Sequence, residues 1–182
     1  MNAFSPAPAW QVERWFNAPR APSLESLRGK VIVLEAFQML CPGCVSHGLP
    51  QAQRVRATFP HERVAVIGLH SVFEHHAAMT PVALEAFLHE YRIDFPVAVD
   101  QPDPQGPLPR TMQAYRMRGT PTLVVIDAQG RLRHQHFGQV PDLVLGAQIA
   151  ELLVEAEHDI AMGATGEERG DAGCADGACA VR

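Results

Sequence analysis

The stretch Val31-Ile32-Val33-Leu34-Glu35-Ala36-Phe37, apolar but for one carboxylate, leads within a few residues into Cys41-Pro42-Gly43-Cys44. An apolar run of this length marks a central strand buried on both faces. Residues Val45, Leu49, Ala52 and Phe59 then recur at helical spacing and predict a helix over about 42–58, kinked by Pro50. A strand that hands two cysteines to the start of a helix sets one sulfur beside unpaired backbone N–H groups and the positive end of the helix dipole, which favour a thiolate. With a second sulfur one turn further in, that arrangement can attack a disulfide and then be released by its neighbour.

The rest of the chain narrows the alternatives. At 182 residues and 47% apolar composition, it fills one core and is short for two. A net charge of −5 leaves no basic footprint, so no nucleic-acid partner is expected. No segment has the apolar length to cross a bilayer, and Met1 to Trp10 lacks a basic start followed by an apolar stretch. The expectation is a cytoplasmic protein with no membrane partner, whose four cysteines are reactive or metal-bound and not structural cross-links.

Three regions are expected: an N-terminal extension over 1–22, a domain over 23–160 and a cysteine-containing tail over 161–182. The extension, with Trp10, Trp15 and Phe16, is read as an amphipathic piece covering the domain edge. Further strands are predicted at 63–69 and 97–99, with a helix between them opening at Thr80-Pro81. Four prolines and a glycine make 101–109 a loop, leading into a short helix near 111–117. Strands at 121–126 and 131–137 flank an Asp127–Gly130 turn as a hairpin, and a last helix spans about 141–158. From Gly163 the chain turns small and polar, as in a disordered tail. Strands alternating with helices, closed by a hairpin and a helix, give an α/β fold with a mixed sheet covered on both faces.

Three motifs carry a family resemblance over residues 22–158: Leu27-Arg28-Gly29-Lys30 with the apolar run after it, Cys41-Pro42-Gly43-Cys44, and Gly119-Thr120-Pro121-Thr122 before the hairpin. The chain resembles the TlpA/ResA-like thiol–disulfide oxidoreductases of the thioredoxin fold, within the redoxin superfamily. The resemblance implies a thioredoxin-like sheet flanked by helices, with Cys41 as nucleophile and Cys44 as resolving cysteine. It implies that Glu35 lies beneath the cysteines and accepts the proton of Cys44; the residues alone leave open a strand-edge Glu35 facing solvent. It also implies a cis Thr120-Pro121 bond that brings Thr120 beside the cysteines. Arg118, Thr120, Leu40 and Pro42 then flank a substrate groove. The family usually has Trp where this chain has Leu40, which bears on substrate recognition more than on the redox centre.

Other chemistry-bearing residues fit blander roles as well. His47 shares a helix side with Cys44 and could tune a sulfur, ligate a metal or stand exposed. His70, His75 and His76, with Glu74, could form a metal cluster or part of a solvated loop. His134 and His136 share one strand face. Cys174 and Cys179 could relay electrons to the main pair, hold a soft metal or be inert. The expected function is disulfide exchange with a protein or low-molecular-weight disulfide, fed by a thiol donor and needing no cofactor and no metal. Two alternatives use the same residues. One is a peroxiredoxin-like peroxidase using Cys41, which in such enzymes follows a Thr or Ser by three residues, where this chain has Gln38. The other is a metal chaperone using Cys41, Cys44 and His134 or His136.

Overall fold

The computed structural model describes residues 4–167. Its elements are β1 (Val12–Phe16), β2 (Val31–Phe37), a π-turn (Cys44–Gly48) continuing into α1 (Leu49–Thr58), β3 (Val64–His70), α2 (Pro81–Glu90), β4 (Val97–Asp100), α3 (Arg110–Ala114), β5 (Thr122–Ile126), β6 (Leu132–Phe137) and α4 (Asp142–Glu167). The six strands form one mixed sheet in the order β1-β4-β3-β2-β5-β6. β2 pairs parallel with β3 and antiparallel with β5, so it lies at the centre. The expected α/β thioredoxin-like architecture, with helices on both faces, is what forms.

All seven β2 residues are buried, which is why the run lacks a polar alternate face. Side chains alternate across the sheet. Val31, Val33 and Phe37 join a core with residues of α1, α2 and α4, while Ile32, Leu34 and Ala36 join one with Met112 and Tyr115 of the α3 region. Glu35 shares the parity of Val33 and Phe37 and therefore the face covered by α1 and α4.

The N-terminal segment completes the second face. Ala7 is in that core, with Trp10 and Trp15 packed against it, and β1 extends the sheet by pairing antiparallel with β4. Trp10 donates to the Tyr115 hydroxyl (3.1 Å), which donates to the Pro8 carbonyl (2.7 Å).

Three local outcomes differ from expectation for physical reasons. Pro50 does not kink a mid-helix; it lies in the first turn of α1, and the irregularity precedes it as the π-turn. Proline has no N–H for the carbonyl of Ser46 and crowds it. The ladder widens there, and the Leu49 N–H reaches the Cys44 carbonyl five residues back. The short strand expected at 97–99 continues to Asp100, whose buried carboxylate caps the next helix. The last helix continues past 158 to Glu167, so 163–167 are not the tail expected from Gly163 onward. Each glycine weakens a helix by only about 1 kcal/mol, and no proline lies within this one to stop it. Cys174 and Cys179, proposed as a relay, lie outside the described residues. No helix among the described residues is long and apolar enough to cross a membrane.

Candidate active site

The sequence places Cys41 at the break between β2 and its helix, and the backbone turns there through a Cys41 N–H bond to the Gln38 carbonyl (3.2 Å). Cys41 is half-buried and Cys44 fully buried, both as free thiols. The Cys44 backbone N–H donates to Cys41 Sγ at 3.3 Å, the placement that solvates a thiolate at the head of a helix. The Cys41 thiol in turn lies 3.5 Å from the Thr120 carbonyl. Burial pushes the Cys44 thiol far above the ordinary range, reinforced by its contact with Cys41. One sulfur is half-buried with a donor on it, and its fully buried companion is held as the thiol.

The Thr120-Pro121 bond is cis, and the Pro121 ring rests on Gly43. The loop is pinned on two sides: the Gly138 N–H donates to the Pro121 carbonyl (2.8 Å), and the Thr122 hydroxyl donates to the Gly119 carbonyl (2.7 Å). Thr120 is thereby held against Cys41.

Glu35 is 1% exposed, so the solvent-facing alternative does not form. Its Oε1 has no hydrogen-bond partner, and burial pushes the carboxyl up to about 8. Gly48, one helical turn beyond Cys44, lies directly over it, and a Cβ there would overlap Glu35 Oε1. A cavity of about 280 Å³ opens from Glu35 between Gly48, Gln51 and Pro121, with His47, Arg54 and Asp142 towards its mouth. Gln51 holds this wall by donating to the Val140 carbonyl (2.8 Å) and Asp142 Oδ1 (2.7 Å). The buried carboxyl therefore has a path to water without a hydrogen bond that fixes its charge.

The remaining candidates separate. Leu40 is 57% exposed beside the cysteines, Pro42 is exposed, and Arg118 lies with its guanidinium 5.2 Å from the centre of the Phe137 ring. His47 is exposed and accepts from Gln139 at 3.3 Å. His70 is the last residue of β3 and buried against Phe37, its ring held neutral down to about 4, whereas Glu74, His75 and His76 are exposed. The histidine cluster therefore does not assemble. His134 and His136 stack on β6, and His136 meets Gln148 at 3.0 Å, not the cysteines. Among the described residues no three His, Cys, Asp or Glu side chains are grouped to hold a metal.

Sequence reasoning missed Gly48, Gln51 and Phe137. Only Gly48 left a signal, a glycine four residues after Cys44 where a helix former would otherwise stand.

The fold is shared with known proteins. A crystal structure of a thioredoxin-like superfamily protein is 64% identical, covers 83% of this chain and 97% of its own, and superposes with a TM-score of 0.81. A thiol-disulfide isomerase from Corynebacterium glutamicum is 52% identical, with 81% and 96% covered and a TM-score of 0.77. Protein DipZ of Mycobacterium bovis is 28% identical over 148 residues, 80% of this chain; the chain spans about 20% of the length of that relative. Residues 5–135 match the AhpC/TSA family, and the chain belongs to it.

Proposed function

We propose that this thioredoxin-type thiol–disulfide oxidoreductase works through Cys41 as nucleophile and Cys44 as resolving thiol, with Glu35 as the base that takes the proton of Cys44. In the reductive direction the Cys41 thiolate attacks one sulfur of a partner disulfide. A mixed disulfide forms, and the first partner thiolate leaves and takes a proton from water. Cys44 then gives its proton to the Glu35 carboxylate, and its thiolate attacks Cys41 Sγ. The Cys41–Cys44 disulfide forms, the second partner thiolate leaves and is protonated, and two electrons have passed to the partner. Glu35 returns its proton to water through the cavity. A thiol donor reverses the same steps to regenerate the dithiol. Thr120, beside Cys41, and the exposed Leu40 and Pro42 border the approaching chain.

The observation that carries this reading is the pairing of a half-buried sulfur, bonded by the Cys44 N–H, with a buried thiol one helical turn before Gly48, which covers an unpartnered carboxyl. A peroxidase would use Cys41 on a hydroperoxide; three residues earlier stands buried Gln38, with its Oε1 unpartnered. The test is trapping in extract: Cys44→Ser accumulates mixed disulfides through Cys41, and Cys41→Ser accumulates none. Equal yields from both variants, or fast hydroperoxide consumption by the wild type without a partner disulfide, would overturn the assignment.

A further inference from the structure

An open groove of about 490 Å³ is lined by Arg118, two residues before Thr120, and by His136, Phe137 and Val144 among others, with no carboxylate in its wall. Arg118 is exposed and has no ion pair among the described residues; its one contact of note is the Phe137 ring. Phe137 is itself 51% exposed, although it ends a sheet strand. Its ring lies on the backbone of Gly119, where a Cβ would come within 2.9 Å of ring carbon Cε2. Gly119 therefore allows an aromatic face, with a guanidinium stacked on it, to sit one residue from Thr120 and its 3.5 Å contact with Cys41.

We infer that Arg118, presented on Phe137, selects disulfides whose reactive cysteine has an acidic side chain within two residues. This rests on the exchange reading above and names its substrate class. A chain reaching Cys41 alongside Thr120 is extended, and extended residues advance about 3.3 Å each with side chains alternating in direction. The second residue from the substrate cysteine therefore stands about 6.6 Å along the chain, within the reach of the exposed Arg118 side chain two residues before Thr120. The aromatic ring orders the guanidinium before substrate arrives, so less freedom is lost on pairing with a carboxylate. A lysine in the substrate would meet a cation in a groove with no acid to offset it.

The test uses two fluorogenic disulfide peptides identical except for Glu or Lys two residues from the cysteine, with reduction followed at low and high salt. The ratio of kcat/KM values within each variant cancels any general loss of activity. In the wild type the Glu peptide is favoured about 5-fold at low salt, the size expected of one exposed ion pair. The preference shrinks at about 1 M salt, where screening acts over only about 3 Å. Arg118→Lys keeps most of the preference, Arg118→Gln loses it, and Arg118→Glu reverses it. An unchanged ratio in Arg118→Glu, or equal rates for both peptides with the wild type, overturns the inference while leaving the exchange reading intact. No reduction of either peptide, together with no mixed disulfide in Cys44→Ser, overturns both.

Discussion

A carboxyl in the middle of a seven-residue buried strand has to be neutral or paired. Glu35 has no partner on Oε1, so it is held as the acid, with burial lifting it from an ordinary 4.5 to about 8. The sign of its kinetic effect follows. Below about 8 it keeps its proton and cannot take one from Cys44; above, it is ionised and can. The resolving step therefore quickens as pH rises through about 8. Glu35→Gln keeps the shape and loses the base, and the expected loss in the resolving rate at pH 8 and above is about 100-fold. Stopped-flow decay of the mixed disulfide against pH measures it. A profile that keeps its rise in the variant would remove Glu35 from the proton path.

Between elements, Asp100 at the end of β4 ties three segments together. Its carboxylate accepts from the Thr111 N–H (2.8 Å), the Met112 N–H (3.0 Å) and the Ser71 hydroxyl (2.9 Å), and so caps a helix of five residues that has no side-chain cap of its own. Asp100→Asn turns one acceptor into a donor facing these donors, a loss of about 1–3 kcal/mol. Calorimetry should show a Tm lower by roughly 2–4 °C for each kcal/mol, and an unchanged Tm would contradict the capping role. Nothing in the sequence announces this, because a cap eleven residues away is made by the fold and not by local spacing. The same reason hid β1. Val12-Glu13-Arg14-Trp15-Phe16 mixes charges with aromatics and becomes a strand only because the edge of β4 offers hydrogen bonds. Readable in advance were the elements whose cause is local: the apolar β2 run, the Cys41–Cys44 turn, the Thr80 cap, which accepts from the Ala83 N–H, and the Asp127–Gly130 turn. Pro50 was visible, but where the strain would go was not, since the π-turn coincides with Gly48 lying over Glu35. His70 and the exposed pair after it looked like one cluster because chain distance does not show that β3 ends at His70, inside the core.

For the molecule as a whole, Glu35 and His70 set opposing pH dependences on the same sheet. Glu35 is protonated in the native state up to about 8 but ionises near 4.5 when unfolded, so stability falls as pH rises between those values. His70, with neither ring nitrogen paired, stays neutral down to about 4 in the native state but protonates near 6.5 when unfolded, so stability rises with pH between those values. Each slope is about 1.4 kcal/mol per pH unit where one proton separates the states. From about 4.5 to 6.5 they cancel, and above 6.5 only the decline from Glu35 remains. Asp100 is also raised by burial and adds to the Glu35 sign, while Asp142 and Glu155, held low by Arg54 and Arg133, act at the acid end. These contributions drop out when each variant is compared with the wild type. Urea unfolding from pH 4.5 to 8 should then show the wild type losing stability relative to Glu35→Gln throughout, and gaining it relative to His70→Leu up to about 6.5 and no further above. If the difference between Glu35→Gln and wild type stayed constant across that range, the carboxyl would not be carrying its proton into the folded state, and the proton path to Cys44 would lose its base.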